Sequence, residues 1–528
     1  MISEVSAVAS DRENAGDAAA AAEDKQVLHQ FGYAQELARR MHTFQNFAIS
    51  FSIICILSGG INSFSQGLSG VGGAAIGIGW PVAALFSLCF AIAMGQIGSA
   101  HPTAGGLYHW GALLGGRGLG WLTAWFNLIG LVTVLAAINV GTYLFLVGAF
   151  SAPLGLDAGA LTPDNPTARS IAVQTIIVGL ITLTQALCNH LGIRLTTRLT
   201  DLSGTIIFAG AVALTVALLA YAPALDISRL WRFTNYSGAA GGGVWPETHA
   251  MLYLFLLGLL LPAYTITGFD ASAHTAEETI SAARSIPRGM IHAVIWSALF
   301  GWVMLSAVIL AAPSLETAAS QGSNSFFWIL DQVLPGWLRI ALYGVIAVSQ
   351  YLCGLATVTS ASRMMFAFAR DGGLPASGAL RQVSPRFRTP VTAIWVASIL
   401  SVAFTIYAPV YTTIAAVCTI FLYVSYVLPI GAALLAHRRA WTVMGPFDIG
   451  AAFKPVALLC IVGAGVLLYI GVQPPNDQAL TVTIGVLVVS ALIWFGLERR
   501  RFRGPPMGEE VRRRQTEIAA AERVVGEA

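Results

Sequence analysis

Twelve stretches of this chain are apolar over about 20 residues or more, and that leaves few ways to fold it. A bilayer core of about 30 Å is crossed by about 20 helical residues. With no water in that core, each span must satisfy its own backbone N–H and C=O groups, which favours helices. The runs lie near 44–68, 79–100, 119–150, 169–190, 199–221, 249–280, 289–312, 337–367, 390–408, 411–436, 454–472 and 479–497. The third and eighth are long enough to tilt. Soluble domains carry about 25% charged residues. Here the figure is 10%, against 56% hydrophobic, so the surface faces lipid. The expected fold is an all-α polytopic membrane protein with twelve transmembrane helices. Its obligate partner is the lipid bilayer. No basic patch interleaved with aromatics occurs, so no nucleic-acid partner is expected.

Lysine and arginine orient such a bundle. With the N-terminus in the cytoplasm, 25 of the 29 basic residues fall inside, eight of them in the C-tail from Arg499 to Arg523. Only Arg169, Arg229, Arg232 and Arg339 fall outside. This predicts a multi-pass protein of the cell (inner) membrane with both termini cytoplasmic. The N-terminal tail, 1–43, is rich in Ala, Asp, Glu and Gln and reads as mostly disordered, with a short helix near Tyr33–Arg40. The C-terminal tail, 498–528, reads as solvated, the alternative being a helix on anionic lipid. The outer loop, 222–248, carries Trp231, Phe233, Tyr236 and Trp245, which suit an interfacial aromatic belt. Cys55, Cys89, Cys188, Cys353, Cys418 and Cys460 are scattered singly through apolar runs and read as buried small side chains. The first 40 residues lack the apolar core of a cleavable signal peptide.

Two of the helices are interrupted. The first reads FAISFSIICILSGGINSFSQGL, with Ser58, Gly59, Gly60, Ile61, Asn62 and Ser63 at its middle. Adjacent glycines cost about 1 kcal/mol each in a helix interior. The sixth reads LLGLLLPAYTITGFDASAHTAEET, broken at Thr267, Gly268, Phe269 and Asp270. Broken helices at matching positions in two halves point to a transporter site. The layout fits two five-helix repeats, 44–221 and 249–436, of opposite topology, with two further helices in 437–497. The half-helix starting past Gly60 presents free N–H groups to a carboxylate. The half-helix ending near Thr267 presents free carbonyls to an ammonium group. Glycines 59, 60 and 268 also fit a plainer role in close helix packing.

Asp270 has two readings. It pairs with a substrate amine or carries a coupling proton, or it caps the inner half of the sixth helix. Phe269 is either a gate over the substrate or a core side chain. His274, Glu277 and Glu278 fall at i, i+3 and i+4. They form a cytoplasmic gate paired with Arg284 or Arg288, or else a solvated helix end. A metal site there lacks a second histidine, and none is expected.

Several motifs together resemble the amino acid–polyamine–organocation superfamily. They are SGGINSF in the first helix, GSAHPTAGGLYHW at Gly98–Trp110, GFDASAHTAEET with Ile286-Pro287-Arg288, and SRMMFAFARDGGLP at Ser362–Pro375. The wording GFDASAH…EET is most similar to the amino acid/choline transporter branch, which includes GABA and choline permeases. The resemblance implies a five-plus-five inverted-repeat fold with discontinuous helices one and six. It implies a secondary active transporter working by alternating access rather than an enzyme. Substrate contacts would come from Ser58, Gly59, Gly60, Ile61, Thr267, Gly268, Phe269 and Asp270, with Asn127 added from helix three. The HPTAGGLYHW turn would pack at the inner gate.

Helix five carries no lysine, the device that replaces sodium in some relatives. Thr357, Thr359 and Ser360 on helix eight are available to a sodium ion, but their expected role is bonding to their own helix. Coupling to H⁺ through Asp270 or a neighbour, or exchange, is the expectation, with no other cofactor. No Lys or Arg lies near either break, which disfavours a dianionic substrate. A neutral amino acid, GABA or a choline-like cation fits. A quaternary ammonium would need an aromatic cage, for which Tyr264, Phe269, Phe126 and Trp125 are the candidates. A non-transporting nutrient sensor on the same scaffold is the alternative function; no added regulatory domain favours it. No histidine cluster or Ser/His/Asp set favours an enzyme.

Overall fold

A computed structural model describes residues 2–162 and 166–526, with side chains from residue 16 onward; the rest of both tails and residues 163–165 lie outside it. All regular elements are helical. A tail helix α1 (Ile2–Gln30) precedes the first span, which is split into α2 (Thr43–Ile54), α3 (Gly59–Asn62) and α4 (Phe64–Val71). The second span is α5 (Trp80–Ala100). After α6 (Leu107–Gly115) come α7 (Arg117–Phe150), a turn α8 (Ala158–Leu161), α9 (Ala168–His190) and α10 (Ile193–Tyr221). The sixth span is split into α11 (Met251–Gly258), α12 (Leu260–Thr265) and α13 (Ala271–His274). Then follow α14 (Ala282–Ala311), two short helices α15 (Leu315–Ser320) and α16 (Ser325–Val333), and α17 (Gly336–Arg370). The remaining elements are α18 (Ser377–Leu380), α19 (Val391–Tyr407), α20 (Tyr411–Ala436), α21 (Phe453–Gly471), α22 (Asp477–Ile493), α23 (Arg499–Arg501), α24 (Glu509–Arg513) and α25 (Gln515–Val525).

Among the described residues ten helices are long and apolar enough to cross a membrane, and two shorter apolar ones, Met251–Thr265 and Val391–Tyr407, complete twelve spans. The short pair are spans six and nine. Burial sorts them into layers. The α7 span is 89% buried and packs along α20 and α17, whereas the last span is only 11% buried and lies at the rim. Helix α14 leans on α5 and α2. Polar side chains tie the inner helices where lipid offers no partner. Asn139 on α7 donates to Thr182 (2.9 Å) and Gln185 (2.8 Å) on α9, and Asn189 on α9 donates to the Leu355 carbonyl (3.0 Å) on α17.

An even number of spans puts both termini on one end of the bundle, the terminal face. The tails differ from the sequence expectation. The helix is α1, while 33–40 is non-helical and pressed into the bundle, with Tyr33, Leu37 and Met41 buried. Hydrogen bonds explain why that stretch forgoes helix. Arg388 donates to the Glu36 (3.1 Å), Gln35 (3.2 Å) and Leu37 (3.1 Å) carbonyls, and the Arg40 and Met41 amides donate to the Glu278 carbonyl (2.8 Å each). The C-tail is not simply solvated either. Helix α25 buries Ile518 and Glu522, and Glu522 takes Lys25 (2.9 Å), His29 (2.7 Å) and the Gln35 amide (2.9 Å). The amphipathic spacing of Ile518 and Glu522 supplies the docking face.

The 222–248 loop also departs from the belt expectation at Tyr236, which is buried, and at Trp245. Trp231 and Phe233 are exposed, as a belt requires, but Trp245 is buried with its Nε1 donating to the Gln66 carbonyl (2.8 Å). It serves as a plug over α4.

Candidate functional site

The first break lies one turn earlier than the glycines suggested. Helix α2 ends at Ile54; Cys55 sits at φ 10°, ψ 88°, outside helical space. Residues 56–58 make a turn, and Gly59 and Gly60 already belong to α3. The Ser58 and Gly59 amides donate back to the Cys55 carbonyl (2.8 and 3.1 Å). The amides of Ile56, Leu57, Gly60 and Ile61 find no acceptor among the described residues. They form the unsatisfied start of a helix, where a negative group is favoured.

The second break begins after Thr265. Gly268 sits at φ +86°, a conformation that a Cβ resists. Its N–H donates to the Tyr426 hydroxyl (3.1 Å), and the Phe269 carbonyl accepts from Ser50 (2.8 Å). The carbonyls of Tyr264, Thr265 and Thr267 accept nothing among the described residues. The two breaks meet. A Cβ on Gly59 would lie 2.9 Å from the Thr265 Cα, so only glycine lets α3 approach α12 this closely. The packing role and the site role therefore coincide at Gly59. Unpartnered amides lie beside this contact on one helix and unpartnered carbonyls on the other.

Asp270 is fully buried and does not cap α13. Its Oδ1 accepts from the Tyr426 hydroxyl (2.8 Å), and its Oδ2 from Asn127 Nδ2 (3.0 Å) with His274 Nε2 at 3.2 Å. An intramembrane carboxylate needs partners, and three spans supply them. Tyr426 escaped the sequence reading because a tyrosine in the tenth apolar run looks like core. The available signal was Tyr423 and Tyr426 three apart on one helix face. Phe269 is fully buried and packs against Tyr426, with ring centroids 5.2 Å apart.

His274, Glu277 and Glu278 do not share one helix. Helix α13 stops at His274, and a 3-10 turn carries both glutamates. Nor do Arg284 and Arg288 pair with them, and the segment is not a solvated end. Glu277 is held by Arg370 through two bonds (2.7 and 2.9 Å), and Glu278 by Arg363 likewise (2.9 and 3.0 Å). Both pairs are buried. The partners come from another span: Arg363 and Arg370 both extend from α17, which packs on α13 just before the turn, whereas Arg284 and Arg288 follow the turn on α14. The Gly98–Trp110 turn closes over them, the Ala104 amide donating to Glu277 (3.1 Å) and the Ala104 carbonyl lying 3.3 Å from His274 Nδ1. The tail adds a further layer. The Tyr33 hydroxyl donates to Asp371 (2.7 Å), as does that of Tyr108 (2.9 Å), and the Arg370 guanidinium lies 3.8 Å from the Tyr33 ring centre. At the other end the Thr234 and Tyr236 amides donate to Val71 (3.2 Å) and Gly70 (3.3 Å). The breaks are thus enclosed from both ends.

The helix-eight hydroxyls behave as expected in part. Thr357 bonds to the Cys353 carbonyl of its own helix (2.9 Å), but Thr359 reaches Asn189 (2.7 Å), and the buried Ser360 hydroxyl has no partner among the described residues. The four cage candidates do not gather. Tyr264 pairs with Tyr411, Phe269 with Tyr426, Phe126 with Phe421, and Trp125 with Trp121 and Phe368.

Twelve spans whose first and sixth are unwound where they touch, with both ends sealed, define a polytopic membrane transporter. A family model described as amino acid permease matches residues 41–497. The chain is 32% identical to an amino-acid permease of Arabidopsis thaliana, BAT1, over 90% of this chain and 95% of that one. It is 26% identical to the GABA-specific permease of Saccharomyces cerevisiae, over 93% and 87%. It is 25% identical to amino-acid permease 2 of Neurospora crassa, over 91% and 88%. The chain belongs to the amino acid permease family, within the superfamily that its motifs resemble, and is an amino acid transporter.

Proposed function

We propose that the substrate is a zwitterion held across the junction of the two breaks. Its carboxylate faces the free amides from Ile56 to Ile61, and its ammonium group faces the free carbonyls of Tyr264, Thr265 and Thr267. The observation that carries this reading is the pairing of unsatisfied donors and acceptors where α3 meets α12. Ser58, Gly59, Gly60, Ile61, Thr267, Gly268 and Phe269 line it, while Asn127 and Asp270 stand behind it. A neutral amino acid or GABA matches this charge pattern, and the yeast relative is named for GABA. A choline-like ion has no carboxylate for the amides and no gathered cage.

Transport is by alternating access, with the repeats 44–221 and 249–436 moving relative to each other and the terminal face cytoplasmic. Asp270 and His274 carry the coupling proton, because they are in contact, fully buried and next to the second break. Proteoliposome uptake of radiolabelled neutral amino acids, GABA and choline, with H⁺ and Na⁺ gradients imposed separately, tests the proposal. Accumulation driven by an inward H⁺ gradient is expected, and Asp270→Asn should abolish it while leaving counterflow. The absence of saturable uptake or counterflow for every amine would sink the transport reading. Na⁺-driven accumulation with pH-independent Asp270→Asn behaviour would sink the coupling reading alone.

A further inference from the structure

Where α17 and the last span leave the bundle at the terminal face, the chain forms a cavity of about 500 Å³. Five arginines line it: Arg370, Arg381, Arg501, Arg503 and Arg514. Asp371 and Glu510 are the acids in the same wall, so the lining carries an excess of three positive charges, five less two. A second cavity of about 620 Å³ shares Arg370, Arg381 and Arg514 with it. Three of the five arginines are paired with glutamates, Arg370 with Glu277 among them, and the available charge rests on the other two. Arg501 meets Glu498 (3.0 Å) and Arg514 meets Glu510 (3.4 Å), both on the partly exposed rim. Arg381 and Arg503 make no ion pair among the described residues.

Arg370 makes this more than a positive-inside rim. Its side chain is more than nine-tenths buried, and each of its two terminal nitrogens donates one bond to Glu277. Its Nε–H is also buried, yet meets no acceptor among the described residues. An unmet donor on a buried cation is costly, and an anionic oxygen is the partner that relieves it best. Such an oxygen can accept from Nε without displacing either bond to Glu277. At Gly372 the cavity wall is open, since a Cβ there would meet nothing within 4 Å.

We propose that this cavity is a binding site for a phosphate group, seated on Arg370 Nε and gripped by Arg381 and Arg503. Multiple guanidinium donors around one small volume suit the several oxygens of a phosphate better than a single carboxylate. The site opens where two spans leave the membrane, within reach of an anionic lipid headgroup as well as of a soluble phosphate.

The test uses the full-length protein in uncharged detergent, with thermal unfolding read against added ligand. One arm adds dihexanoyl phosphatidic acid and the other inorganic pyrophosphate. Saturable stabilisation in either arm is expected, and the arm that shows it identifies the source. In Arg381→Gln/Arg503→Gln the apparent Kd should weaken at least about tenfold, from two lost charge-assisted contacts. The control, Arg499→Gln/Arg500→Gln, removes the same charge from exposed positions outside the cavity and should keep the wild-type Kd within about twofold. No saturable shift in either arm overturns the proposal. So does equal weakening in the two double variants, which would reduce the effect to diffuse charge. Neither outcome depends on whether the protein transports the proposed substrate.

Discussion

Tyr426→Phe removes one hydroxyl from the most connected point of the site and leaves the ring in place. That oxygen donates to Asp270 (2.8 Å), accepts from the Gly268 amide (3.1 Å) and lies 3.4 Å from Thr267. The last contact is too long to count for much. A hydrogen bond to a charged group contributes about 1.5–3 kcal/mol, and a buried N–H left unsatisfied costs about 1–3 kcal/mol. The two losses share one atom and are not additive, so about 3 kcal/mol is a fair figure for the enclosed arrangement. At 1.4 kcal/mol per decade this is about a hundredfold shift against that arrangement. Initial-rate uptake at matched protein should fall at least about tenfold. Thermal unfolding serves as the control for global damage, and Tyr423→Phe for loss of a neighbouring buried hydroxyl that meets Ser87 (3.0 Å) and the Ala263 and Ile266 carbonyls (3.4 Å each) but not Asp270. Uptake by Tyr426→Phe within about twofold of wild type, with an unchanged pH profile, would refute the argument that this hydroxyl holds Asp270 and the second break together.

The glycine pair offers a steric contrast. Gly59→Ala places a methyl 2.9 Å from the Thr265 backbone, so uptake should be lost and stability should fall by about 1–3 kcal/mol; Gly60→Ala meets nothing closer than Leu305 at 3.5 Å and should fold as the wild type and retain uptake, as uptake and thermal unfolding would show. The tail clamp is pH-dependent. Burial acts to raise the Glu522 carboxyl, but the Gln35 amide, His29 and Lys25 outweigh it and hold the group below its ordinary 4.5. A carboxylate depressed in the folded state contributes stability above its unfolded value and loses it as pH falls through the folded one. Limited proteolysis of 17–36 should therefore be slow at neutral pH and accelerate below about pH 4.5, while Glu522→Gln should be cut quickly throughout.

The twelve spans were legible because lipid imposes a length and a composition that any sequence window detects. The two breaks were legible because glycines and a carboxylate have few reasons to sit in an apolar run. Their internal geometry was not. The chain leaves the helix at Cys55, a residue with no turn-forming character, because the Gln350 side chain caps the Leu57 carbonyl from another span (3.0 Å). Partners were the weakest inference for a similar reason. Nearness in sequence favoured Arg284 and Arg288 for the two glutamates, yet α17 delivers Arg363 and Arg370 from 85 and 93 residues away. The tails misled because low hydrophobicity reads as disorder, whereas residues 33–41 gain their order from hydrogen bonds to elements the tail sequence does not contain.

The two ends of the bundle are closed by different chemistry, and under the proposed alternating access that sets what each must do to open. At the far end the contacts are neutral: an indole N–H to a carbonyl and two backbone amides to α4. Each can be exchanged for a bond to water at small net cost. At the terminal face, opening must hydrate two buried Arg–Glu pairs, and stranding one partner of such a pair costs about 3–5 kcal/mol. These pairs must therefore separate or move as units. The chain provides for the second course. Glu277 and Glu278 sit on one short turn, continuous through α13 with Asp270, and both arginines sit two turns apart on α17. A shift of Asp270 against Tyr426 and Asn127 is then transmitted along four residues of helix to the turn that bears both glutamates. On the proposed mechanism the buried carboxylate at the break and the ion pairs at the face act as one mechanical element, with the short α13 between them as its lever.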